Sequence, residues 1–362
     1  MYLMTTRRRL TRLALLSTLV LPLTVQADAA PLSCPKTPLA PYTGPLNIDS
    51  RYDQTDATKS TLSDSQSDES KAIHAHISEY GKMLVAFSDY YVKANTPAKK
   101  EMALLCTEEW LTPWAQAHAL ETDEATKTGI AMRKWTLAGM AAVIIKLQTL
   151  SEGNFVLNHS QRVWLNTLAG KVIQNYSPRM APDFAWFNNH DYWAAWAVAA
   201  TGLALGQQDN LDWSMAILRR GLSQITPVTL ADQPKVAFGY LPNEVGRASL
   251  ATNYSHYALA PLVMLAHTAR QTGHPLSADE EQRLFSLVNF TVWLTLYPEQ
   301  TAPLITESQK AIPAQRMAWL IPFLQMYPNH ALARQLYTHF DGEVDGFSQL
   351  GGLIQPLYPW NK

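Results

Sequence analysis

Cysteine and charge are both scarce in this sequence. Only two of the 362 residues are cysteines, and 16% are charged, compared with about a quarter in an average globular domain. Two cysteines leave a metal site two ligands short, and no other residues supply them at matching spacing. The net charge of −1 provides no general field that would attract nucleic acid or a membrane surface. With 47% hydrophobic residues, the chain has enough apolar surface for a large core.

Several motifs and long apolar segments are also missing. The chain contains no glycine-rich phosphate loop, no G-x-S-x-G nucleophile elbow and no H-E-x-x-H zinc motif. No segment after residue 27 is apolar for long enough to span a bilayer. We therefore expect a protein that binds no nucleic acid and has no membrane anchor after cleavage of an N-terminal signal peptide, residues 1–27.

The first residues, 1–27, have the layout of a secretory signal peptide. Arginines precede an apolar stretch at residues 13–23, which is too short to cross a membrane, and a small-x-small site follows. The mature chain is therefore expected to begin near Asp28 as a soluble, exported protein. In an oxidising compartment the two cysteines, Cys34 and Cys106, are expected to form one disulfide.

Helical periodicity dominates the chain after residue 70. Apolar residues from Ile73 to Tyr91 recur at steps of three and four, which is one face of a helix. Pro261 predicts a kink or a break, and residues 228–240 predict irregular or short extended structure. Further helices are predicted at residues 98–106, 108–120, 124–149, 158–176, 188–206, 210–224, 244–271, 277–296, 310–326 and 330–340.

These segments are joined by short loops and predict an all-α fold. An array of antiparallel helical hairpins can close into an incomplete (α/α) toroid around a central cleft. We expect residues 28–362 to form one domain. Residues 28–70, rich in proline, aspartate, serine and threonine, predict an arm and a loop. A polar loop this long is usually disordered or functional, for instance as a lid.

The stretch from Phe187 to Trp196 changes from polar to apolar, as at a helix whose first turn opens into a cleft. Such a first turn favours anions, so Asn189 and His190 are expected to donate hydrogen bonds to a carboxylate-bearing ligand. Trp193 offers a flat apolar surface of the kind on which sugar rings stack. The alternative is that Asn188 caps the helix and the aromatic residues belong to the core.

A second stretch, residues 241–261, also combines polar and aromatic residues. If it is helical, Arg247, Leu250, Tyr254 and Tyr257 share one face. A face with a cation and two phenols differs from an ordinary core stripe and from a lysine- and glutamate-rich surface. The alternative is that the tyrosine rings are buried with satisfied hydroxyl groups.

Together the two stretches supply the groups that β-elimination of a uronic acid polymer needs. Removing the C5 proton of the sugar builds negative charge on the adjacent C6 carboxylate, which donors such as Asn189 and His190 can neutralise. An acid must also protonate the departing O4 oxygen. Tyr257 can take a base role when a nearby cation or histidine lowers the pKa of its phenol from about 10.

These residues resemble the alginate lyases of polysaccharide lyase family 5, and the resemblance covers nearly the whole mature chain. Nine short sequence strings carry the resemblance. The one that begins at Asn188 is specific for the family by itself, and the other strings are strong evidence because they occur in the family's order. The matching strings are Cys34-Pro35, Pro41-Tyr42-Thr43-Gly44, Ser50-Arg51-Tyr52, Met132-Arg133-Lys134-Trp135, Asn188-Asn189-His190-Asp191-Tyr192-Trp193-Ala194-Ala195-Trp196, Leu241-Pro242-Asn243-Glu244, Tyr254-Ser255-His256-Tyr257-Ala258-Leu259, Ala318-Trp319-Leu320 and Leu350-Gly351-Gly352.

The resemblance implies an incomplete (α/α) toroid in the periplasm, with secretion from the cell as the second choice. It implies an acidic polysaccharide as substrate, cleavage without a metal or other cofactor, and a disulfide consistent with Cys34 and Cys106. Exopolysaccharide secretion machinery is a further expected partner.

The resemblance also implies roles for individual residues. Asn189 and His190 match the residues that neutralise the uronate carboxylate, and His190 is also a candidate base for the other C5 epimer. Tyr257 matches the tyrosine that acts as acid and, for mannuronate, as base. Residues 51–70 match the family's lid over the cleft.

Two departures from the family pattern bear on these roles. Leu250 stands where the family places a catalytic arginine, seven residues before the tyrosine. Arg247 lies one turn earlier, about 5.4 Å along a helix, and is expected to take over charge neutralisation. Arg51 stands where the family often has lysine, so fork geometry replaces a point charge. We expect four residues to contact the substrate: Arg51, Lys134, Trp193 and Tyr254.

Three alternatives remain open from the sequence. The polymer can be alginate or another polyuronate such as glucuronan. A glycoside hydrolase would need two carboxylates roughly 5 to 9.5 Å apart, for which Asp183, Asp191 and Glu244 are the candidates. With Leu250 in place of the arginine, the chain can also be a polysaccharide-binding protein without activity.

Overall fold

A computed structural model describes residues 33–230, 233, 235–301 and 304–360. The expected signal peptide, residues 1–27, lies outside the described residues. The described part is predominantly helical. Its α-helices are α1 (Asp68–Lys93), α2 (Pro97–Gln116), α3 (Lys127–Leu150), α4 (His159–Tyr176), α5 (Asn189–Leu205), α6 (Gln208–Ser223), α7 (Pro242–Val245), α8 (Ala251–Gln271), α9 (Ala278–Leu296), α10 (Leu320–Met326) and α11 (Ala331–His339).

Side-chain caps explain where many of these helices begin. Ser67, Thr96 and Thr126 each accept a hydrogen bond from a backbone N–H of the first turn of α1, α2 and α3. Asn158 and Ser277 belong to reciprocal capping boxes at α4 and α9. Because the first backbone N–H groups of a helix have no partner within the helix, these short polar residues stop the helix from starting earlier.

The helices form an inner and an outer row. Helices α1, α3, α5 and α8 contact one another in succession, and α2, α4, α6 and α9 pack outside them. The inner helix α5 is buried on all sides, as its uninterrupted apolar composition from Tyr192 onward requires. Short connections reverse the chain between successive helices, which gives the (α/α) toroid. The all-α prediction is confirmed.

Three predicted helical segments are divided differently in the structure. Residues 98–106 and 108–120 belong to one helix, α2, which contains Pro113. The predicted helix 244–271 is interrupted: α7 ends at Val245, and a 3-10 turn, Ala248–Leu250, precedes α8. Residues 310–326 contain only a 3-10 turn and the short α10.

Helix α8 continues without a break through Pro261, the position at which the sequence predicts a kink or a break. Nearly the whole of α8 after Tyr254 is buried against α5, α6 and α9. Tertiary packing therefore outweighs the local preference of the proline.

Two short strands, β1 (Thr226–Val228) and β2 (Phe238–Tyr240), form an antiparallel pair. They agree with the expectation of short extended structure around residues 228–240. The pair packs beside α9, where Phe238 lies 5.6 Å from Trp293 between ring centroids.

The segment before α1 is fastened to α2 and α3. Cys34 and Cys106 form a disulfide, as predicted, with Cα atoms 4.9 Å apart. The indole N–H groups of Trp110 and Trp114 donate to backbone carbonyls of this arm, at 3.1 and 2.9 Å. Gly129 lets the arm approach, because a Cβ there would overlap the carbonyl oxygen of Leu46. Among the helices that the structure describes, none is long and apolar enough to cross a membrane.

Candidate active site

Helix α5 begins at the site. The Asn188 side chain caps the helix by accepting from the His190 backbone N–H at 3.0 Å, and Asp191 accepts from the Asn188 backbone N–H at 2.8 Å. The alternative reading of Asn188 as a cap is therefore correct. A cap at Asn188 is compatible with carboxylate binding by Asn189 and His190, because the cap fixes the helical turn that carries these two residues.

Lys134 of α3 contacts the His190 imidazole at Nδ1. Its amine is 2.8 Å from His190 Nδ1 and donates to the His190 carbonyl at 2.9 Å. Since the amine is the donor, we assign the imidazole proton to Nε2. Lys134 is fully buried and orients His190, and its expected contact with substrate stays a prediction.

The surroundings of His190 keep its imidazole neutral. Burial lowers its pKa well below the usual range, and the positive charges of Lys134, Arg179 and Arg247 lower it further. Burial also lowers the pKa of Lys134, although the carboxylate of Asp191 opposes that shift. A neutral imidazole with its proton on Nε2 is a hydrogen-bond donor near neutral pH, as charge neutralisation requires.

Glu244 of α7 holds Asn189. Its carboxylate accepts from the Asn189 backbone N–H at 2.7 Å and from the side-chain Nδ2 at 2.8 Å. Both residues are buried, and burial raises the pKa of Glu244 to about 7 while the charge of Arg247 lowers it. An amide nitrogen has two N–H groups, so Asn189 keeps a second donor in an orientation that Glu244 fixes.

The carboxylates proposed for a glycoside hydrolase are not available. Both oxygens of Asp191 accept from Arg179, at 2.6 and 2.8 Å, and the residue is fully buried. Glu244 is engaged with Asn189, and Asp183 is exposed in the loop before α5. No pair among these three is a free acid and base facing one cleft, so the hydrolase alternative is not supported.

The opposite wall comes from the first turns of α8. Tyr254 and Tyr257 lie on this helix, with ring centroids 6.4 Å apart. Arg247 does not share their helical face, because it precedes the 3-10 turn and α8 begins only at Ala251. This corrects the helical placement of Arg247.

Arg247 nevertheless belongs to the site. Its Nε donates to the Asn243 carbonyl at 3.0 Å, and its guanidinium carbon lies 4.7 Å from the centroid of the Tyr254 ring. Its charge lowers the pKa of His190 and of Glu244. Arg247 therefore stands between the α5 side of the site and Tyr254.

Trp193 connects the two walls. It lies one turn after His190 on α5, and its indole N–H donates to the Tyr257 carbonyl at 2.9 Å. The rings of Trp193 and Tyr257 are 5.1 Å apart between centroids. Trp193 is fully buried in this structure, and the expected stacking of a sugar on its ring stays a prediction. It fixes the position of Tyr257 relative to His190.

Tyr257 has two neighbours that the sequence did not point to. The Arg316 guanidinium carbon is 4.7 Å from the Tyr257 ring centroid, and the Gln349 side chain interacts with the phenol. Burial raises the pKa of Tyr257 above its ordinary value, so the expectation of a lowered pKa is wrong; the charge of Arg316 and then the Gln349 side chain oppose this rise only in part. Phe347 packs against the same ring, with centroids 6.4 Å apart.

The predicted lid loop reaches the tyrosines. Arg51 is exposed and stacks on Tyr52, 5.0 Å from its ring centroid, and donates to its hydroxyl at 3.1 Å. Burial, and after it the Tyr52 side chain, raises the pKa of Tyr254. Because α1 begins at Asp68, the loop is shorter than the predicted 51–70.

No cluster of three or more histidine, cysteine, aspartate or glutamate side chains with metal-binding geometry occurs in the described ranges. The residues gathered here are instead a neutral imidazole, an amide, two phenols and two guanidinium groups. Such a set can bind a carboxylate and move a proton.

Comparisons with known proteins identify the family of this chain. The sequence profile of the alginate lyase family matches residues 47–301. An alginate lyase of Pseudomonas fluorescens (strain SBW25) is 32% identical over 295 residues, covering 79% of this chain and 74% of that protein. An alginate lyase of Cobetia marina is 30% identical over 296 residues, covering 80% and 74%. The chain belongs to the alginate lyase family, which places it among the polysaccharide lyases.

Solved structures show the same fold. Alginate lyase A1-III from Sphingomonas species A1 superposes with a TM-score of 0.66 at 18% identity, covering 90% of this chain and 86% of that one. A histidine-to-alanine variant of alginate lyase A1-III complexed with a tetrasaccharide gives a TM-score of 0.68 at 19% identity, covering 91% and 86%.

Proposed function

We propose that this protein cleaves alginate by β-elimination, with Asn189, His190 and Arg247 neutralising the uronate carboxylate and Tyr257 transferring the proton. The observation that carries the proposal is the packing of the Tyr257 ring on Trp193, 5.1 Å between centroids, one helical turn after His190 on α5. The named activity of the relatives supports the choice of alginate.

The carboxylate is bound at the start of α5. The second N–H of Asn189 and the Nε2–H of His190 donate to it, and Arg247 supplies positive charge. These donors are fixed in advance by Glu244 and Lys134. Negative charge grows on the carboxylate as the C5 proton leaves, so preorganised donors stabilise the transition state more than the bound substrate.

Tyr257 then carries the proton. Its ionised oxygen takes the C5 hydrogen, and the electron pair of that C–H bond forms a double bond between C4 and C5. The C4–O4 bond breaks, and the same proton passes from Tyr257 to O4, which restores the phenolate. For the opposite C5 epimer, His190 is the alternative base once its proton moves from Nε2 to Nδ1, where a neutral Lys134 amine accepts it.

Arg51, Tyr52 and Tyr254 line the entrance and contact the polymer. The loop that carries Arg51 and Tyr52 is stabilised by the Asp56 carboxylate, which accepts from the backbone N–H groups of Thr58, Ser60 and Thr61 at 2.8 to 2.9 Å. We take this loop as a lid that orders the substrate beneath Arg51.

The protein acts in the periplasm in this proposal. The layout of residues 1–27 and the disulfide between Cys34 and Cys106 support export. Expression of the full chain followed by cell fractionation and N-terminal sequencing tests it. A periplasmic product starting near Asp28 is expected, and an uncleaved cytoplasmic chain contradicts the proposal. A contact with exopolysaccharide secretion machinery stays a prediction.

The activity is tested by incubating the purified protein with polymannuronate, polyguluronate, glucuronan and hyaluronan. A lyase produces an unsaturated sugar that absorbs in the near ultraviolet, whereas hydrolysis does not. We expect absorbance to rise with the alginate polymers. Turnover of glucuronan alone reassigns the substrate. Binding to these polymers without any absorbance change makes the protein a polysaccharide-binding protein instead.

A further inference from the structure

Arg316 approaches Tyr257 from outside helix α8. It belongs to the 3-10 turn Ala314–Met317, which packs against α8. Its guanidinium carbon is 4.7 Å from the centroid of the Tyr257 ring and 5.0 Å from that of Phe347. The cation therefore lies directly beside the phenol that transfers the proton.

The guanidinium of Arg316 is not neutralised by a carboxylate. Within residues 33–230, 233, 235–301 and 304–360 it makes no ion pair and donates no hydrogen bond. Burial lowers the pKa of Arg316, and its interactions with Tyr257, Tyr254 and Tyr52 act in the opposite direction. Because a largely buried charge is costly when no opposite charge compensates it, this cation is suited to a negative charge that forms nearby.

Gln349 meets Tyr257 from another direction. It lies in the 3-10 turn Ser348–Leu350, and its side chain opposes the rise in the pKa of Tyr257 that burial causes. The buried amine of Lys146 fastens the end of this turn by donating to the Gly351 carbonyl and, at 2.7 Å, to Asp89. The position of Gln349 is therefore set by α1 and α3 and not by a mobile surface loop.

We propose that Arg316 and Gln349 together stabilise the ionised hydroxyl of Tyr257, Arg316 by its charge and Gln349 by donating a hydrogen bond. The inference rests on the proposed function, in which this phenolate takes the C5 proton. Tyr257 gives its own proton to solvent beforehand, and the phenolate returns after each elimination. Both partners act through Tyr257 and are positioning residues.

Arg247 has a different part in this arrangement. Its guanidinium stacks on Tyr254, and its charge acts on His190 and Glu244. The two arginines thus divide two tasks: Arg247 serves the carboxylate side of the site, and Arg316 serves the phenol.

The ionisation of Tyr257 can be followed directly. A difluorinated tyrosine placed at position 257 has a more acidic phenol than tyrosine, and fluorine NMR reports its titration alone among all tyrosines. The titration is compared in otherwise natural protein and in Arg316→Gln, Arg316→Lys, Gln349→Leu and Arg247→Gln. Circular dichroism confirms that each variant is folded.

In Arg316→Gln we expect the titration midpoint of the phenol at position 257 to rise by about one pH unit, which makes this phenol a roughly tenfold weaker acid. Arg316→Lys is expected to restore part of the shift, Gln349→Leu to raise the midpoint less, and Arg247→Gln to leave it unchanged. An unchanged or lower midpoint in folded Arg316→Gln overturns the proposal. If that variant does not fold, unchanged midpoints in both Arg316→Lys and Gln349→Leu overturn it.

The same variants without fluorine give a second readout. With alginate, Arg316→Gln is expected to reduce kcat at neutral pH by about 10- to 100-fold and to move the pH optimum upward. Arg334→Gln, which removes a distant guanidinium stacked on Trp360, is the control for activity. If the natural protein shows no turnover while the fluorine titration shifts as expected, the proposed function fails and the role of Arg316 at Tyr257 stands.

Discussion

The Lys134 amine lies 2.8 Å from Nδ1 of His190. This contact joins helix α3 to the first turn of α5 and leaves the imidazole proton on Nε2. A buried lysine that binds no carboxylate is unusual, because burial disfavours its charge. Its position is explained by the imidazole it orients.

Replacing Lys134 with methionine is expected to lower kcat by about 10- to 100-fold, because His190 loses the partner that fixes its tautomer. Lys134 also lowers the pKa of His190, so its removal raises that pKa and moves the acidic limb of the pH–rate profile upward. Steady-state kinetics across pH measure both effects.

Lys171→Met is the matched control for this prediction, because Lys171 pairs with Asp123 at the surface and touches no residue of the site. Its activity and pH profile are expected to match the natural protein. If the acidic limb of the pH–rate profile does not move in Lys134→Met, the prediction is contradicted and Lys134 has only a structural role.

Glu244→Gln is expected to change how stability depends on pH. Burial raises the pKa of Glu244 from 4.5 to about 7, so the folded state binds the proton more tightly than the unfolded state. The stability from this group is therefore complete below about pH 4.5 and is lost as pH rises through about 7. The loss amounts to roughly 3 kcal/mol.

Urea unfolding at acidic and at mildly alkaline pH measures that loss. The free energy of unfolding of the natural protein relative to Glu244→Gln is expected to fall by this amount as pH rises. Glu101→Gln, at an exposed position on α2, is expected to show no such change. A constant difference between the natural protein and Glu244→Gln at both pH values contradicts the raised pKa.

Removing the disulfide is expected to destabilise the protein without abolishing the site. Cys34 and Cys106 are 72 residues apart, and closing a loop of this length stabilises by about 4 kcal/mol in the chain-entropy account. The arm keeps its hydrogen bonds to Trp110 and Trp114, so activity at low temperature is expected to persist.

Chemical denaturation of the Cys34→Ser/Cys106→Ser double variant, with and without a reductant, checks the size of the effect. The reductant is expected to destabilise the natural protein and to leave the double variant unchanged. Equal stability of the two proteins under oxidising conditions goes against the prediction.

Local signals allowed much of the fold to be predicted. Most helices begin at a serine, threonine or asparagine cap that is visible in the sequence, such as Asn188 or Ser277. The break before α8 was missed because Arg247, Leu250, Tyr254 and Tyr257 match helical spacing. Gly246 was the available signal, since glycine weakens a helix interior.

The candidate site was predicted only where neighbouring residues form it. His190 and Tyr257 stand in distinctive strings, whereas Arg316 and Gln349 come from a distant part of the chain and reach Tyr257 only through tertiary packing. Nothing in the spacing of Lys134 and Trp193 shows that both side chains are fully buried.

Trp135 was also missed as a candidate contact. Its partly exposed ring lies 5.6 Å from His190 between centroids, next to the buried Lys134 on α3. The string that contains both residues pointed to this part of the site. The choice between the two depended on which side of the helix faces the cleft.

Replacement of Tyr257 by phenylalanine tests most directly whether this phenol carries the proton. The variant keeps the ring that packs on Trp193 and Phe347 and removes only the hydroxyl. With alginate as substrate, the rate of ultraviolet absorbance increase is expected to fall by about 100-fold or more relative to the natural protein, while circular dichroism stays the same. Undiminished turnover in a folded Tyr257→Phe would contradict the account.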